Sequence, residues 1–170
     1  MYTIEAERLI VRELTDSDVP LLAQMFARPT TMQWLFGGTP MSAEEAGRFI
    51  REHFTFGRLS YGLGVLCEKK PERFVGFAGL LPCRYLYEDD FELGFALIED
   101  ARRKGYATEI GRAQIVYGFE TLSVHRLLAL VHPQNRASLR TLEKIGMKLL
   151  KTIRTEERGP RRVYVVKRPA

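Results

Sequence analysis

Apolar positions recur with two different periods along this chain, and the period switches in blocks. ERLIVREL (7–14) alternates in part and is rich in branched side chains, which predicts a strand. TDSDVPLLAQMF (15–26) then shows the helical spacing of Leu21, Leu22, Met25 and Phe26, with Asp16 or Ser17 able to cap it. Pro29, Gly37, Gly38 and Pro40 break residues 27–41 into an irregular link. SAEEAGRFIREHF (42–54) carries Ser42 and Glu45 as a capping box, then Ala46, Phe49, Ile50 and Phe54 at helical spacing.

The middle of the chain changes character. YGLGVLCE (61–68), RFVGFAGLLPC (73–83) and FELGFALI (91–98) are short, apolar and alternating. KKPE (69–72) and YLYEDD (85–90) separate them as hairpin connections, so three consecutive antiparallel strands are expected. A helix is expected over Ile110–Leu122. HRLLALVHP (125–133) is a near-continuous apolar strand of the kind buried on both faces. NRASLRTLEKIG (135–146) is a helix with Asn135 as its cap and Gly146 as its stop. MKLLKTIRTEE (147–157) and RRVYVVKR (161–168) close the chain as two strands around a Gly159–Pro160 turn. The expected order is β-α-α-β-β-β-α-β-α-β-β. No linker divides it, which makes residues 1–170 one mixed α/β domain.

Composition adds only boundaries. The 170 residues are 45% hydrophobic and 28% charged, as in ordinary globular proteins. No apolar run approaches the roughly 20 residues that span a bilayer. The first residues, MYTIEAERLIVREL, carry Glu5, Glu7 and Arg8 among apolar positions, unlike a signal peptide, so no membrane association and a cytoplasmic location are expected. Cys67 and Cys83 lack a CxxC spacing and are expected as reduced thiols. His53, His125 and His132 show no metal-ligand spacing, and no metal is expected. Lys and Arg number 26 against 21 Asp and Glu, a net +5 that permits an anionic ligand. No nucleic-acid-reading motif accompanies this charge, and no nucleic-acid partner is expected.

Three stretches carry candidate chemistry. In RRKGYATE (102–109), three cations precede Gly105, Ala107 and Thr108 at the mouth of a helix. The first N–H groups of a helix are unpaired and its dipole is positive there, so this arrangement suits a diphosphate. A solvated basic turn has the same sequence. In FELGFAL (91–97), Phe91, Leu93, Phe95 and Leu97 share one face, and Glu92, Gly94 and Ala96 share the other. The second face leaves room for a ligand beside a carboxylate, although a solvent-facing Glu reads alike. In VHPQNRASLRTLEKIGM (131–147), Asn135 and Ser138 open a helix directly after a buried strand, as a cap and first-turn serine or as a second wall of the same cleft.

The ordered set ERLIVREL, FELGFAL, RRKGYATE and HRLLALVHPQNRASLRTLEKIGM resembles the GNAT acetyltransferase superfamily over nearly the whole chain. It is most similar to the branch that includes the ribosomal-protein N-terminal acetyltransferases. The family signature [RQ]xxGx[GA] is matched by Arg102, Gly105 and Ala107, and the branch's GYATE by Gly105 through Glu109. Its NxxS is matched by Asn135 and Ser138, followed by LEKxG at 142–146. Arg102 and Arg103 stand where the branch often has an aromatic and a glycine, and Met147 replaces a frequent phenylalanine.

The resemblance implies a mixed, mostly antiparallel sheet of about seven strands, splayed between the fourth and fifth and flanked by four helices. It implies acetyl-CoA as the co-substrate, with its arm in the splay and its diphosphate on the backbone of residues 103–108. Phe95, Ala96, Leu97, Arg102, Arg103, Lys104, Gly105, Tyr106, Ala107, Thr108, Asn135 and Ser138 form the expected binding set. Acetyl transfer to an amine needs a proton acceptor, a polarised carbonyl and a stabilised leaving thiolate. Glu92 is the expected base, directly or through water, and Ser138 the expected donor to the leaving sulfur. A backbone N–H near Phe95 to Leu97 would meet the carbonyl oxygen. Trp34 and Phe36, in the link at 27–41, are expected as an apolar wall over the acceptor, unless they are simply core. The acceptor is expected to be a primary amine, on a protein or peptide N-terminus or a small molecule, and the chain a monomer or homodimer. The last hairpin is basic, with Lys151, Arg154, Arg158, Arg161 and Arg162, which suits an acidic substrate, a protein N-terminus on an RNA-rich particle, or nothing in particular. A non-catalytic acyl-CoA-binding sensor is the alternative reading.

Overall fold

The computed structural model describes all 170 residues. Eight strands form one sheet: β1 (Ile4–Glu5), β2 (Leu9–Arg12), β3 (Gly62–Lys69), β4 (Glu72–Cys83), β5 (Asp90–Leu97), β6 (Arg126–Val131), β7 (Lys148–Thr155) and β8 (Gly159–Lys167). Their spatial order is β1-β2-β3-β4-β5-β6-β8-β7. Every neighbouring pair is antiparallel except β5 and β6, which run parallel. Five helices flank the sheet: α1 (Val19–Phe26), α2 (Pro29–Met32), α3 (Ala43–His53), α4 (Tyr106–Glu120) and α5 (Arg136–Lys144).

Two apolar layers form because each sheet face needs cover. On one face, Tyr106, Ile110 and Tyr117 of α4 and Leu142 of α5 pack with Val75, Leu80, Leu93 and Leu127. On the other, Leu22, Met25 and Phe26 of α1 and Ala46 and Ile50 of α3 pack with Leu63, Val65 and Phe77. Phe26 anchors this second layer, with ring centroids 5.4 Å from Phe49 and 5.6 Å from Phe77. No helix is long and apolar enough to cross a membrane.

The expected elements are present, with four corrections. The sheet has eight strands rather than seven, because the two-residue β1 is too short to show a period. There are five helices rather than four, because the link contains the single turn α2, opened by Pro29. The helix expected from Ile110 starts at Tyr106, directly after Gly105. Gly159 and Pro160 open β8, so the last hairpin turns at residues 156–158 instead. The capping box is formed as read: Glu45 N–H donates to Ser42 Oγ at 3.2 Å, and Ser42 N–H to Glu45 Oε2 at 2.7 Å.

The splay falls where expected. Strands β5 and β6 share a single register pair, Glu92 opposite Leu128. Beyond it the strands part toward the C-terminal end of β5, and the cleft between them is the centre of the molecule.

Candidate active site

The two faces of β5 separate only in part, since Leu93 and Phe95 reach the cleft as well as Glu92 and Gly94. Leu93 belongs to the layer under α4, with Phe91, Phe95 and Leu97 packed on it. Glu92 and Gly94 border a cleft of about 790 Å3, whereas Ala96 packs toward the layer under α1 and α3. A Cβ built on Gly94 meets no atom within 4 Å, so this strand presents open space beside its backbone. Gln114 of α4 fixes the strand from behind, its Nε2 donating to Gly79 O at 2.8 Å and Gly94 O at 2.9 Å.

Glu92 is 9% exposed and sits at the vertex of the splay. Arg158 Nη1 donates to its Oε1 at 2.9 Å and its Oε2 at 3.2 Å. The same Nη1 lies 3.2 Å from Tyr85 Oη. Burial pushes the Glu92 carboxyl above its ordinary value, and Arg158 only partly opposes that shift. For Arg158, burial disfavours charge, but Glu92 and Tyr85 raise its pKa above the ordinary value.

The second wall comes from β6 and α5. Asn135 caps α5 by accepting from Ser138 N–H at 3.3 Å. Its Nδ2 donates to Ser138 Oγ at 3.0 Å, which leaves the serine proton free to donate elsewhere. Asn135, Ser138 and Phe95 line the cleft together with Glu92. Four expected residues, from two separate segments, are thus brought into one cavity.

The basic turn stands apart from the cleft, which none of residues 102–108 lines. Arg103 and Gly105 both adopt left-handed backbone, at φ 62° and 79°. Left-handed residues at a helix start can form an anion-binding concavity, and Gly105 is the N-cap of α4. Arg102, Arg103 and Lys104 are exposed around it, and Arg102 Nε donates to Leu97 O at 3.3 Å. The Tyr106 side chain takes no part in the concavity: its hydroxyl donates to Glu68 and its ring lies under Arg8. Ala107 and Thr108 follow it in the first turn of α4.

Trp34 and Phe36 both line the cleft, and the Trp34 ring lies 4.7 Å from that of His132. His132 accepts the Gln134 N–H on Nδ1 at 3.1 Å, so its neutral form carries the proton on Nε2 and presents a donor. Burial, then Arg161, pushes its pKa down. No group of three or more His, Cys, Asp or Glu is placed to hold a metal ion.

The last hairpin corrects the sequence reading most. Arg158 and Arg161 belong to the basic hairpin read as a possible attractor of substrate, yet Arg161 is 2% exposed and Arg158 lines the cleft. Arg161 Nη2 donates to Phe36 O at 3.0 Å and Nη1 to Pro160 O at 2.8 Å, tying the link to the hairpin. Arg161 shares an alternating face of β8 with buried Val163, and that signal was available; nothing local marks Arg158 or Tyr85.

The Acetyltransferase (GNAT) domain family matches residues 8–148. An uncharacterized Bacillus subtilis protein, YkkB, is 31% identical over 154 residues, covering 87% of this chain and 86% of that protein. An acetyltransferase of Agrobacterium tumefaciens superimposes with a TM-score of 0.83 at 25% identity, over 99% of this chain and 95% of that one. RimL, a ribosomal-protein α-N-acetyltransferase solved with coenzyme A, superimposes at 0.79 with 15% identity, over 98% of each chain. The chain belongs to the GNAT acetyltransferase family, and its mixed sheet is the GNAT fold. It is an acetyl-CoA-dependent acetyltransferase.

Proposed function

We propose that residues 1–170 form one catalytic domain that moves the acetyl group of acetyl-CoA to a primary amine by direct attack within a ternary complex. The observation that carries this reading is the convergence of a buried carboxylate and a hydroxyl with a free proton on one cleft. Acetyl-CoA supplies the activated acetyl group. The concavity at Arg103–Gly105 and the start of α4 would hold its diphosphate, and the open flank of Gly94 would admit its arm.

The chain's own residues then divide the work. Glu92, whose proton affinity is raised by burial, removes the proton that the attacking ammonium must lose. Backbone N–H groups near Phe95–Leu97 meet the developing charge on the carbonyl oxygen. Ser138 donates to the departing sulfur, its oxygen already fixed by Asn135. Trp34 and Phe36 wall the acceptor side and exclude water. The similarity to the ribosomal-protein N-terminal acetyltransferases rests on GYATE and NxxS, and on a fold shared with RimL. A protein N-terminus is therefore one acceptor class, beside small amines.

The test is thiol release from acetyl-CoA against N-terminal peptides, polyamines, aminoglycosides and amino acids, with an acceptor-free control. Amine-dependent release, abolished by Glu92→Gln, is expected. Release at the control rate with every acceptor, despite tight acetyl-CoA binding, would reject the transferase reading.

A further inference from the structure

Arg158 uses one end of its guanidinium and leaves the other without a protein partner. Nη1 makes all three side-chain contacts, to Glu92 Oε1, Glu92 Oε2 and Tyr85 Oη. Nε is buried and donates to nothing. An unpaired buried donor is costly and rare in a folded protein. The Nε–Nη2 edge is also the fork that grips carboxylates side-on. The same molecule uses that fork twice: Arg73 holds Glu68 through Nε at 3.0 Å and Nη2 at 2.9 Å. Arg126 holds Asp90 through both atoms at 2.7 Å.

The surrounding charge fits an anion. Arg158 lines the cleft against one buried carboxylate, Glu92, and the nearly inaccessible Arg161, which does not line the cleft, adds a second positive charge close to both. The other carboxylates lining the cleft, Glu52 and Glu157, are exposed at its mouth, where water screens them. A bound anion would therefore bring the buried cluster to neutrality.

We propose that the acceptor is an α-amino acid whose carboxylate is held by the Nε–Nη2 fork of Arg158 while its amine faces Glu92. This rests on the acetyl-transfer reading and names its substrate class. The geometry selects the α-position. Glu92 binds one end of the guanidinium and the fork is its neighbouring edge, so the amine and the carboxylate must lie within one guanidinium's width. In an α-amino acid both groups are bonded to the same carbon. The side chain would then lie against Trp34, Phe36, Phe49, Tyr61 and Leu81, which favours an apolar one. Recognition and proton removal become linked, because a carboxylate on Arg158 weakens its hold on Glu92. The reaction balances simply: the amine nitrogen bonds the acetyl carbon, the carbon–sulfur bond breaks, the amine proton goes to Glu92 and the thiolate takes a proton.

The test pairs L-phenylalanine, L-leucine and L-methionine with their amides, and with short N-terminal peptides. Binding to the protein–CoA complex is read from the fluorescence of Trp34, the single tryptophan. Turnover is read as thiol release from acetyl-CoA. The free acids are expected to exceed their amides by at least about 100-fold in kcat/KM. Arg158→Lys should slow every acceptor through its contact with Glu92, but should raise KM for the acids about tenfold or more beyond its effect on KM for the amides, because an ammonium cannot reproduce the fork. Equal use of acids and amides, or preference for peptides, overturns the proposal and leaves the transferase reading standing. Selective, Arg158-dependent binding of the acids without acetyl transfer also overturns the proposal, since such acids would be ligands of the fork and not acceptors.

Discussion

Glu92 Oε1 accepts a hydrogen bond from Arg158 Nη1 at 2.9 Å, and both side chains are largely withdrawn from water, at 11% and 17% exposure. The pair joins the middle of the sheet to the tip of the last hairpin, 66 residues on. The contact fixes the carboxylate in the cleft, while burial still holds its pKa above the ordinary 4.5.

The first prediction concerns pH. A carboxyl with a raised pKa keeps its proton to higher pH, and a protonated Glu92 cannot accept one. The acidic limb of kcat/KM should therefore lie above 4.5 and be lost in Glu92→Gln. That substitution should lower kcat by about 100- to 10,000-fold. A pH–rate series on both proteins checks this; an unchanged limb in the variant removes Glu92 as the base.

Gly94 offers a steric test. No atom lies within 4 Å of a Cβ at this position, and its φ is unexceptional. Gly94→Val should keep or raise Tm, since valine suits a strand better than glycine. It should weaken acetyl-CoA binding by at least about tenfold, by filling the flank of β5. Calorimetric titration beside a melting curve distinguishes a blocked cleft from a damaged sheet.

Asn135 and Ser138 should separate stability from chemistry. The cap on α5 uses the Asn135 side chain and the Ser138 backbone N–H, not the Ser138 hydroxyl. Ser138→Ala should leave Tm nearly unchanged and lower kcat by about tenfold, a loss of one hydrogen bond to charge. Asn135→Ala should cost about 1 kcal/mol of stability and also lower kcat, because the serine loses its fixed partner. Equal Tm losses in the two variants would contradict the division.

The thiols should be quiet. Burial pushes Cys67 up to about 11 and Cys83 up to about 12, so both stay protonated at neutral pH. A colorimetric thiol reagent should find Cys67 unreactive and Cys83 slow in the folded protein, and both reactive after denaturation. Rapid stoichiometric labelling without unfolding would contradict this.

Much of this architecture is legible in sequence because its signals are local and periodic. Alternation in FELGFAL placed Leu93 with the core and Glu92 and Gly94 beside open space, and Leu93 does pack in the layer under α4, although it lines the cleft with them as well. Asn135 is a cap because side-chain capping needs only its immediate neighbours. What escaped was set by distance. Arg158 looks like any basic residue of a polar hairpin, and its partner lies on another strand. Tyr85 sits in a polar connection that reads as solvent-facing. The two-residue β1 and the one-turn α2 escaped for the opposite reason, since neither is long enough to carry a period.

Because β5 and β6 are joined at one residue pair, the sheet is mechanically two plates on a hinge. Strands β1 to β5 form one plate, and β6, β8 and β7 the other. Each plate turns a raw edge of backbone donors and acceptors toward its neighbour, inside the protein where no foreign strand can reach it. An amide-bearing chain entering that gap would be stitched to both edges. Occupancy of the cleft then becomes a question of stiffness: amide exchange in β6, which lines the cleft, and in β8 behind it should slow when the gap is bridged.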